Sequence, residues 1–137
     1  EALYGIPTRL DLAQARVLSR LVQERAGTPL PSWKAATGDA LFTRESGAVA
    51  AQFHDPPAIE PYSSELVGAT RGIVLGKKSG LDSIRIKADE LGVDVPVERR
   101  AEVLAAVKAL GSAERRLVHD EEFRALAAAS ILPPSTA

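Results

Sequence analysis

The sequence predicts a mostly α-helical protein with a minor β element, in which a small helical lobe is followed by a three-helix lobe packed on a short strand. Four segments repeat apolar residues every three to four positions, which is typical of helices with one buried face. A single short apolar run, Ile73–Leu75, is bounded by glycines and favours a strand. The predicted helices span Leu10–Ala26, Leu81–Leu91, Val97–Leu110 and a last segment that begins near Asp120.

The first helix is predicted from its apolar spacing and from the residues at its two ends. Either Thr8 or Asp11 is suited to cap its start, and Gly27 followed by Pro29 ends it. The apolar positions that recur at helical spacing are Leu12, Ala15, Leu18, Leu21 and Val22.

An irregular connector follows the first helix. We expect its Trp33, the single tryptophan, to anchor the connector to a core. The next segment, Gly38–Phe53, is rich in small apolar residues, and we interpret it as one or two short helices with a break near Ser46 and Gly47.

A proline-rich loop at His54–Pro61 sets the predicted domain boundary. Its prolines remove backbone donors and restrict the residues that precede them, so regular structure is excluded there. The sequence therefore predicts a first lobe at residues 1–61, a second lobe at 62–132, and a disordered tail at 133–137.

The second lobe is organised around a strand, a glycine-bounded elbow at Gly76–Gly80 and the helix that follows. Ser79 is a suitable N-cap for this helix, and Asp82 three residues later completes the pattern of a capping box. Gly92 is placed to end the helix.

Two more helices complete the second lobe. The first carries a buried stripe that includes Val103 and Val107, and Gly111 is predicted to end it. The last begins near Asp120 with acidic residues in its first turn, where the helix dipole favours them. Its predicted buried residues are Phe123, Leu126 and Ala127.

Composition excludes several classes of protein. The net charge of −1 gives no reason to expect a nucleic acid or an anionic membrane as a partner, and the absence of cysteine excludes disulfides and thiolate metal sites. No apolar run approaches the roughly 20 residues that span a bilayer. Because nothing at the start resembles a signal peptide, we expect a cytoplasmic protein.

The adjacent Lys77 and Lys78 are candidate ligands for an anion. They do not form a phosphate-binding P-loop, because the preceding glycine, Gly72, is one residue too close and Ile73–Leu75 is a predicted strand. Two lysines at a helix N-terminus are suited to bind an anion such as the phosphates of coenzyme A. The alternative is that both are ordinary solvated lysines.

Metal-binding residues are sparse. His54 and His119 are far apart, and neither has a partner at the spacing of metal ligands, so we expect no metal site and no cofactor in this chain. His119 is expected to be a surface residue. The best candidate pair of polar residues for chemistry is Glu45 and Ser46.

Four motifs in order resemble one enzyme family. The run Glu65–Gly80 contains ELVG and IVLGKKSG, which are similar to the PELVG and LVLGKHSG of the region that follows the catalytic barrel in the 2-isopropylmalate synthase and homocitrate synthase family. Tyr4–Leu12 resembles that family's YGIDTGIDL, and Phe42–Gly47 resembles its FAHESG. The resemblance extends from about Leu3 to Leu126.

This resemblance implies a partner. The family's TIM barrel alone needs about 250 residues, so no barrel fits in this chain. The implied arrangement is an accessory subunit, or an excised C-terminal region, in a hetero-oligomer that contains a dimer. The barrel would hold a divalent metal and condense acetyl-CoA with a 2-oxo acid, while this chain would supply dimer contacts and a lid. The alternative is a non-catalytic regulatory or binding module that acts on a barrel partner.

The resemblance also implies site residues, and the chain departs from the family at two of them. Glu45 and Ser46 match part of the motif HESGIHQDG, in a lobe that reaches over a neighbouring barrel. The histidine of that motif corresponds to Val49, and a tyrosine from a downstream TYEP corresponds to Ile59. Arg44 stands where the first histidine would be.

Valine and isoleucine cannot transfer protons, so we interpret this departure as loss of the trans-acting catalytic role. The alternative is that His54 and Tyr62 have moved into it.

Ile86 is a candidate residue for contacts with another subunit. It lies opposite the apolar stripe of its helix, so it is exposed unless a second surface covers it.

Overall fold

The structure is a computed structural model, and it describes residues 4–7, 9–52, 54, 55 and 58–131. The chain divides into two compact units, each assembled from separate stretches of sequence. Unit 1 comprises Glu1–Phe42 and Glu60–Arg71, and unit 2 comprises Thr43–Ile59 and Gly72–Ala137. This division and the single boundary predicted at residue 61 do not coincide. The predicted tail at 133–137 lies outside the described residues.

Unit 1 contains the first predicted helix, α1, at Ala15–Ala26. A short 3-10 turn at Leu12–Gln14 precedes it, and the carboxylate of Asp11 accepts a 3.0 Å hydrogen bond from the N–H of Ala13. Gly27 ends the helix in the left-handed conformation, with φ +64°. The other capping candidate, Thr8, lies outside the described residues.

The prediction that Trp33 anchors its connector is wrong, because its side chain is 75% exposed. Phe42 is buried instead, and its ring meets that of Tyr62 edge to face with centroids 5.8 Å apart. The connector is closed by backbone hydrogen bonds such as Ala40 N–H to the carbonyl of Ser32, at 2.8 Å, so it needs no aromatic anchor.

The predicted helices across residues 38–53 are largely wrong. Turns lead into strand β1, Thr43–Arg44, and only α2, Gly47–Ala50, is helical within the described part of this segment. Strand β1 pairs in parallel with β2, Gly72–Ile73. A two-residue strand depends on its distant partner rather than on a local pattern of side chains, which explains why sequence periodicity missed it.

Three helices in unit 2 confirm the predicted bundle: α3 at Leu81–Leu91, α4 at Arg100–Ala113 and α5 at Asp120–Ile131. Together with the two-stranded sheet they confirm the mostly α-helical fold with a minor β element. The largest side chains of their common core are Ile73, Leu75, Ile84, Val103, Val107 and Phe123. An isolated antiparallel bridge joins two members of this core, Leu75 and Val118.

Gly111 does not end α4 as predicted; it is buried inside the helix, which continues to Ala113. A Cβ atom at this position would lie 3.1 Å from both the Cα of Gly76 and the backbone nitrogen of Lys77. The glycine is therefore required for a close approach of helix and elbow, rather than for a turn.

The prediction that Ser79 caps α3 is also wrong. The N-cap residue is Gly80, whose N–H donates to the Oγ of Ser83 at 3.2 Å. Ser79 is buried, and its Oγ accepts a 2.9 Å hydrogen bond from the N–H of Gly76, which closes the elbow on itself. The predicted end of α3 at Gly92 is confirmed.

Ile86 is not the exposed residue that the helical wheel indicated. It is partly buried and packs against the core of unit 2. The core cluster against which it packs includes Val95, a buried residue from the connection after α3. Among the described residues, no helix is long and apolar enough to cross a membrane.

Candidate functional site

A cavity of about 590 Å³ lies in unit 2 between the elbow and the end of α4. We call it the cationic cavity, because four of its lining side chains are basic and one is acidic. The lining residues are Glu45, Lys77, Lys78, Gly111, Ser112, Arg115, Arg116 and Leu117.

Glu45 reaches this cavity from the turn after β1. Its Oε1 accepts a 2.8 Å hydrogen bond from the backbone N–H of Lys78. The same oxygen would lie 2.7 Å from a Cβ atom on Gly76, so the carboxylate is held close to an elbow that has no side chain there. The structure thus brings Glu45 together with Lys77 and Lys78, three site residues that the sequence predicted separately.

Arg115 and Arg116 complete the cavity, and sequence reasoning missed both. Their only sequence signal is a basic pair just after a helix, which is usually a solvated helix end. Arg115 has φ +52°, in the left-handed region, at a position where glycine is the usual residue. Because Gly111 lies within α4 rather than at its end, the helix carries these arginines to the elbow.

Arg116 is held by an acid from α5. Its two terminal nitrogens donate to the two carboxylate oxygens of Glu122 at 2.8 and 2.6 Å, and Glu122 also accepts from the N–H of His119 at 2.8 Å. The hydrogen bonds from Arg116 first, and the one from His119 second, lower the pKa of Glu122 to about 2. The hydrogen bonds between Arg116 and Glu122 raise the pKa of Arg116.

Glu122 should therefore make the stability of the protein depend on acid pH. Its pKa is lowered in the folded state from an ordinary 4.5 to about 2, so its contribution is present above about pH 4.5 and is lost as the pH falls towards 2. We expect the difference in unfolding midpoint between the native protein and Glu122→Gln to shrink across this window. Glu121→Gln, which removes a carboxylate from the same helical turn, is the control for net charge. A difference that stays constant from pH 5 to pH 2 would contradict this role.

Ser46 does not line the cationic cavity. Its carbonyl accepts hydrogen bonds from the N–H groups of Val49, at 3.1 Å, and Ala50, at 2.9 Å, and so begins α2. Val49 is partly buried on this helix. The carbonyl of Ile59 accepts from the guanidinium of Arg44 at 3.3 Å, which fixes the loop after α2 through its backbone.

Neither histidine lines the cavity. His54 is exposed, with its Nδ1 2.9 Å from the carbonyl oxygen of Ala51, and His119 is exposed just before α5, as predicted. Tyr62 belongs to unit 1, where it packs on Phe42. Within the described ranges, no group of three or more histidine, aspartate or glutamate residues is arranged to hold a metal ion.

Unit 1 has a different surface feature, an exposed apolar face on α1. The side of α1 that is partly buried is polar: Arg16 donates to the carbonyl of Gly38 at 3.0 Å and pairs with Asp39, and Gln23 accepts from the N–H of Leu30 at 2.7 Å. The opposite side is apolar, and its side chains are 47% to 62% exposed. We call this side the α1 face; it consists of Val17, Leu18, Leu21 and Val22.

Comparison with known proteins agrees with the resemblance seen in the sequence. The model of a family described as homocitrate synthase post-HMGL domain-like matches residues 36–115. Homocitrate synthase AksA of Methanopyrus kandleri is 40% identical over 116 residues, which are 84% of this chain and 29% of the relative. (R)-citramalate synthase CimA of Methanocaldococcus jannaschii is 34% identical over 110 residues, 80% of this chain and 22% of the relative.

Homocitrate synthase 1 of Nostoc sp. is 33% identical over 122 residues, which are 88% of this chain and 32% of the relative. The chain spans about a quarter of the length of several curated relatives that it matches. A family model that covers more than half of the chain and relatives that align over most of it lead to one conclusion: the chain belongs to the homocitrate synthase post-HMGL domain-like family.

Proposed function

We propose that this chain is the post-barrel region of a synthase that condenses acetyl-CoA with a 2-oxo acid, and that it acts by packing on the catalytic barrel, contributing dimer contacts and covering the barrel mouth. Its relatives are named homocitrate synthase and (R)-citramalate synthase, and this chain corresponds to a minor part of each. The proposal applies whether the barrel is a separate subunit or is joined to this region in one polypeptide.

The α1 face is the observation that carries the proposal. A helix on the surface of an isolated unit normally turns its apolar side inward. In α1 the polar side is held inward, by a hydrogen bond that Arg16 donates and one that Gln23 accepts. Burying the exposed area of each of these four aliphatic side chains would contribute on the order of 1 kcal/mol to the free energy of association. This arrangement is expected of a helix whose outer side packs on another protein surface.

The chemistry of the condensation is assigned to the barrel. The divalent metal that the family implies does not fit the described residues of this chain, which offer no cluster of ligands. Val49 and Ile59 present no group able to transfer a proton. Glu45 is the acid of this chain that we place nearest to substrate chemistry, with Ser46 beside it in sequence; their catalytic role remains a prediction.

The second candidate is a regulatory or binding module that alters the activity of the barrel without taking part in the reaction. The cationic cavity favours it, because the cavity contains basic side chains and one carboxylate but neither of the chain's histidines. The two candidates differ in what the barrel can do by itself. A regulator leaves the barrel active alone, whereas a region that completes the enzyme does not.

The test compares Leu18→Asp with Leu81→Asp. Both leucines are about equally exposed, at 61% and 53%, but Leu81 begins α3, where an acidic residue is favoured by the helix dipole. We expect Leu18→Asp to weaken association with the barrel at least tenfold, because it places a charge against apolar surface, and Leu81→Asp to leave it unchanged. Association is measured by light scattering after co-elution, or by the melting temperature of the intact synthase when the two are one chain.

Activity is then measured as thiol release from acetyl-CoA with a panel of 2-oxo acids. We expect release from this chain together with the barrel and none from either alone. Full activity of the barrel alone would support the regulatory candidate instead. Native affinity of Leu18→Asp for the barrel, or self-association of this chain through the α1 face, would overturn barrel docking.

A further inference from the structure

We propose that the cationic cavity is a binding site for the diphosphate group of a nucleotide. Several basic side chains of unit 2 form ion pairs with acids, whereas, among the described residues, three of those that line the cavity have no acidic partner at ion-pair distance. The ion pairs join Arg85 to Asp82 and Asp89, Lys87 to Glu90 and Asp120, Arg99 to Glu102, and Arg116 to Glu122. Within the described part of the chain, no acidic partner within ion-pair distance is found for Lys77, Lys78 or Arg115. Three available cations therefore line one concave surface.

The backbone holds these cations together. The elbow and α4 meet at Gly76 and Gly111, so closely that a Cβ atom on Gly111 would lie 3.1 Å from the elbow backbone. This contact places Lys77 on one wall and Arg115 on the other. Because this contact holds the basic side chains near one another, their mutual repulsion opposes folding. A bound polyanion would remove that repulsion.

Arg115 provides independent support. It adopts the left-handed conformation at φ +52°, just past the end of α4, where a side chain is strained and glycine is not. Backbone strain of this kind concentrates at ligand sites, because the surrounding structure maintains it for function. Here the strained residue supplies one of the three available charges of the cavity.

Size and polarity favour a nucleotide over a smaller anion. A volume of about 590 Å³ falls in the range of roughly 300–1,000 Å³ typical of sites for whole organic ligands, and it exceeds what a lone phosphate needs. Glu45 adds an acceptor on the same wall, which suits a ligand that carries hydroxyl or amino donors as well as negative charge. Lysine and arginine are the side chains that most often bind phosphate groups.

The proposal is tested by calorimetric titration of ADP into the full chain at low ionic strength. We expect binding that weakens with added salt and that falls at least tenfold in the double variant Lys77→Ala/Lys78→Ala. Lys108→Ala removes one lysine from the exposed surface of α4, outside the cavity, and should bind ADP as the native chain does. Equal loss of affinity in Lys108→Ala would show that net charge alone is responsible, and the proposal would fail.

Arg115→Gly separates binding from folding. Glycine relieves the left-handed strain, so this variant should melt at a higher temperature than the native chain and yet bind ADP at least tenfold more weakly. Loss of binding in a stabilised variant cannot be attributed to unfolding. Native affinity for ADP in Arg115→Gly would remove this arginine from the site and overturn the proposal.

Three further probes identify the ligand class. Inorganic phosphate and citrate should each bind more weakly than ADP, because they are smaller than the cavity. Coenzyme A carries the same diphosphate within a larger molecule. If coenzyme A binds more tightly than ADP, the ligand of the cavity is an acyl-CoA. If coenzyme A binds more weakly than ADP, the ligand is a free nucleotide. Citrate binding tighter than ADP, or the absence of ADP binding, would overturn the assignment.

Discussion

The substitution Gly47→Ala is expected to destabilise the protein by about 3 kcal/mol. Gly47 begins α2 and crosses Gly80, the N-cap residue of α3, with the two backbones in contact. A Cβ atom on Gly47 would lie 2.5 Å from the Cα of Gly80 and 2.7 Å from its nitrogen. Because both atoms belong to the backbone, no rotation of a side chain can relieve the overlap. The elbow and α2 must separate, which also weakens the hydrogen bond from the N–H of Gly47 to the carbonyl of Lys78.

Urea unfolding of the native and variant proteins measures this effect. Gly72→Ala is the matched control, because a Cβ atom at that position meets only the Cγ2 of Thr43 at 3.7 Å, an ordinary contact. We expect the control to stay within about 0.5 kcal/mol of the native protein. A Gly47→Ala variant as stable as this control would show that the two backbones do not cross at these glycines.

The second large effect is expected at Ser79. Removing its hydroxyl in Ser79→Ala leaves the N–H of Gly76 buried without its 2.9 Å acceptor, and we expect a loss of about 2 kcal/mol. This exceeds the roughly 1 kcal/mol expected for loss of a helix cap. The difference arises because the elbow is buried, whereas most helix caps remain in contact with water.

Ser64→Ala is the matched comparison for Ser79→Ala. Ser64 is equally buried, at 1% against 2%, but its Oγ has no hydrogen-bond partner among the described residues. Deleting an unpaired buried hydroxyl should be neutral or stabilising, so Ser64→Ala should not lower the free energy of unfolding, whereas Ser79→Ala should. Equal destabilisation by both, measured by the same urea titration, would contradict the role assigned to Ser79.

The sequence allowed the helices of unit 2 to be predicted because each buries one stripe in a common core. The wrong predictions concern features that depend on contacts with distant segments, which a local pattern in the sequence does not reveal. Gly111 has the local signature of a helix end, but the approach of Gly76 decides its place inside α4. Strand β1 exists because β2 pairs with it across the intervening segment. Apolar spacing identified α1, whereas the hydrogen bonds of Arg16 decide which side faces outward.

The candidate site was predictable to a similar degree. Glu45, Lys77 and Lys78 were identified individually from their motifs, but only the folded chain shows that they share one cavity. Arg115 and Arg116 were missed because a basic pair after a helix is indistinguishable in sequence from a solvated helix end. The geometry that distinguishes them, a left-handed backbone at Arg115 and a carboxylate fork on Arg116, arises from tertiary packing.

The alternation of the two units along the chain constrains how the protein can emerge from the ribosome. Unit 1 has all of its residues once Arg71 has been synthesised. Unit 2 at that point has only Thr43–Ile59, and the parallel partner of β1 is the next segment to be made. The core of unit 2 cannot be completed before Phe123 has been synthesised. The core that covers β1 and α2 is therefore incomplete for some fifty residues of elongation after Arg71, an interval in which a chaperone or an already folded neighbour has the opportunity to protect both elements.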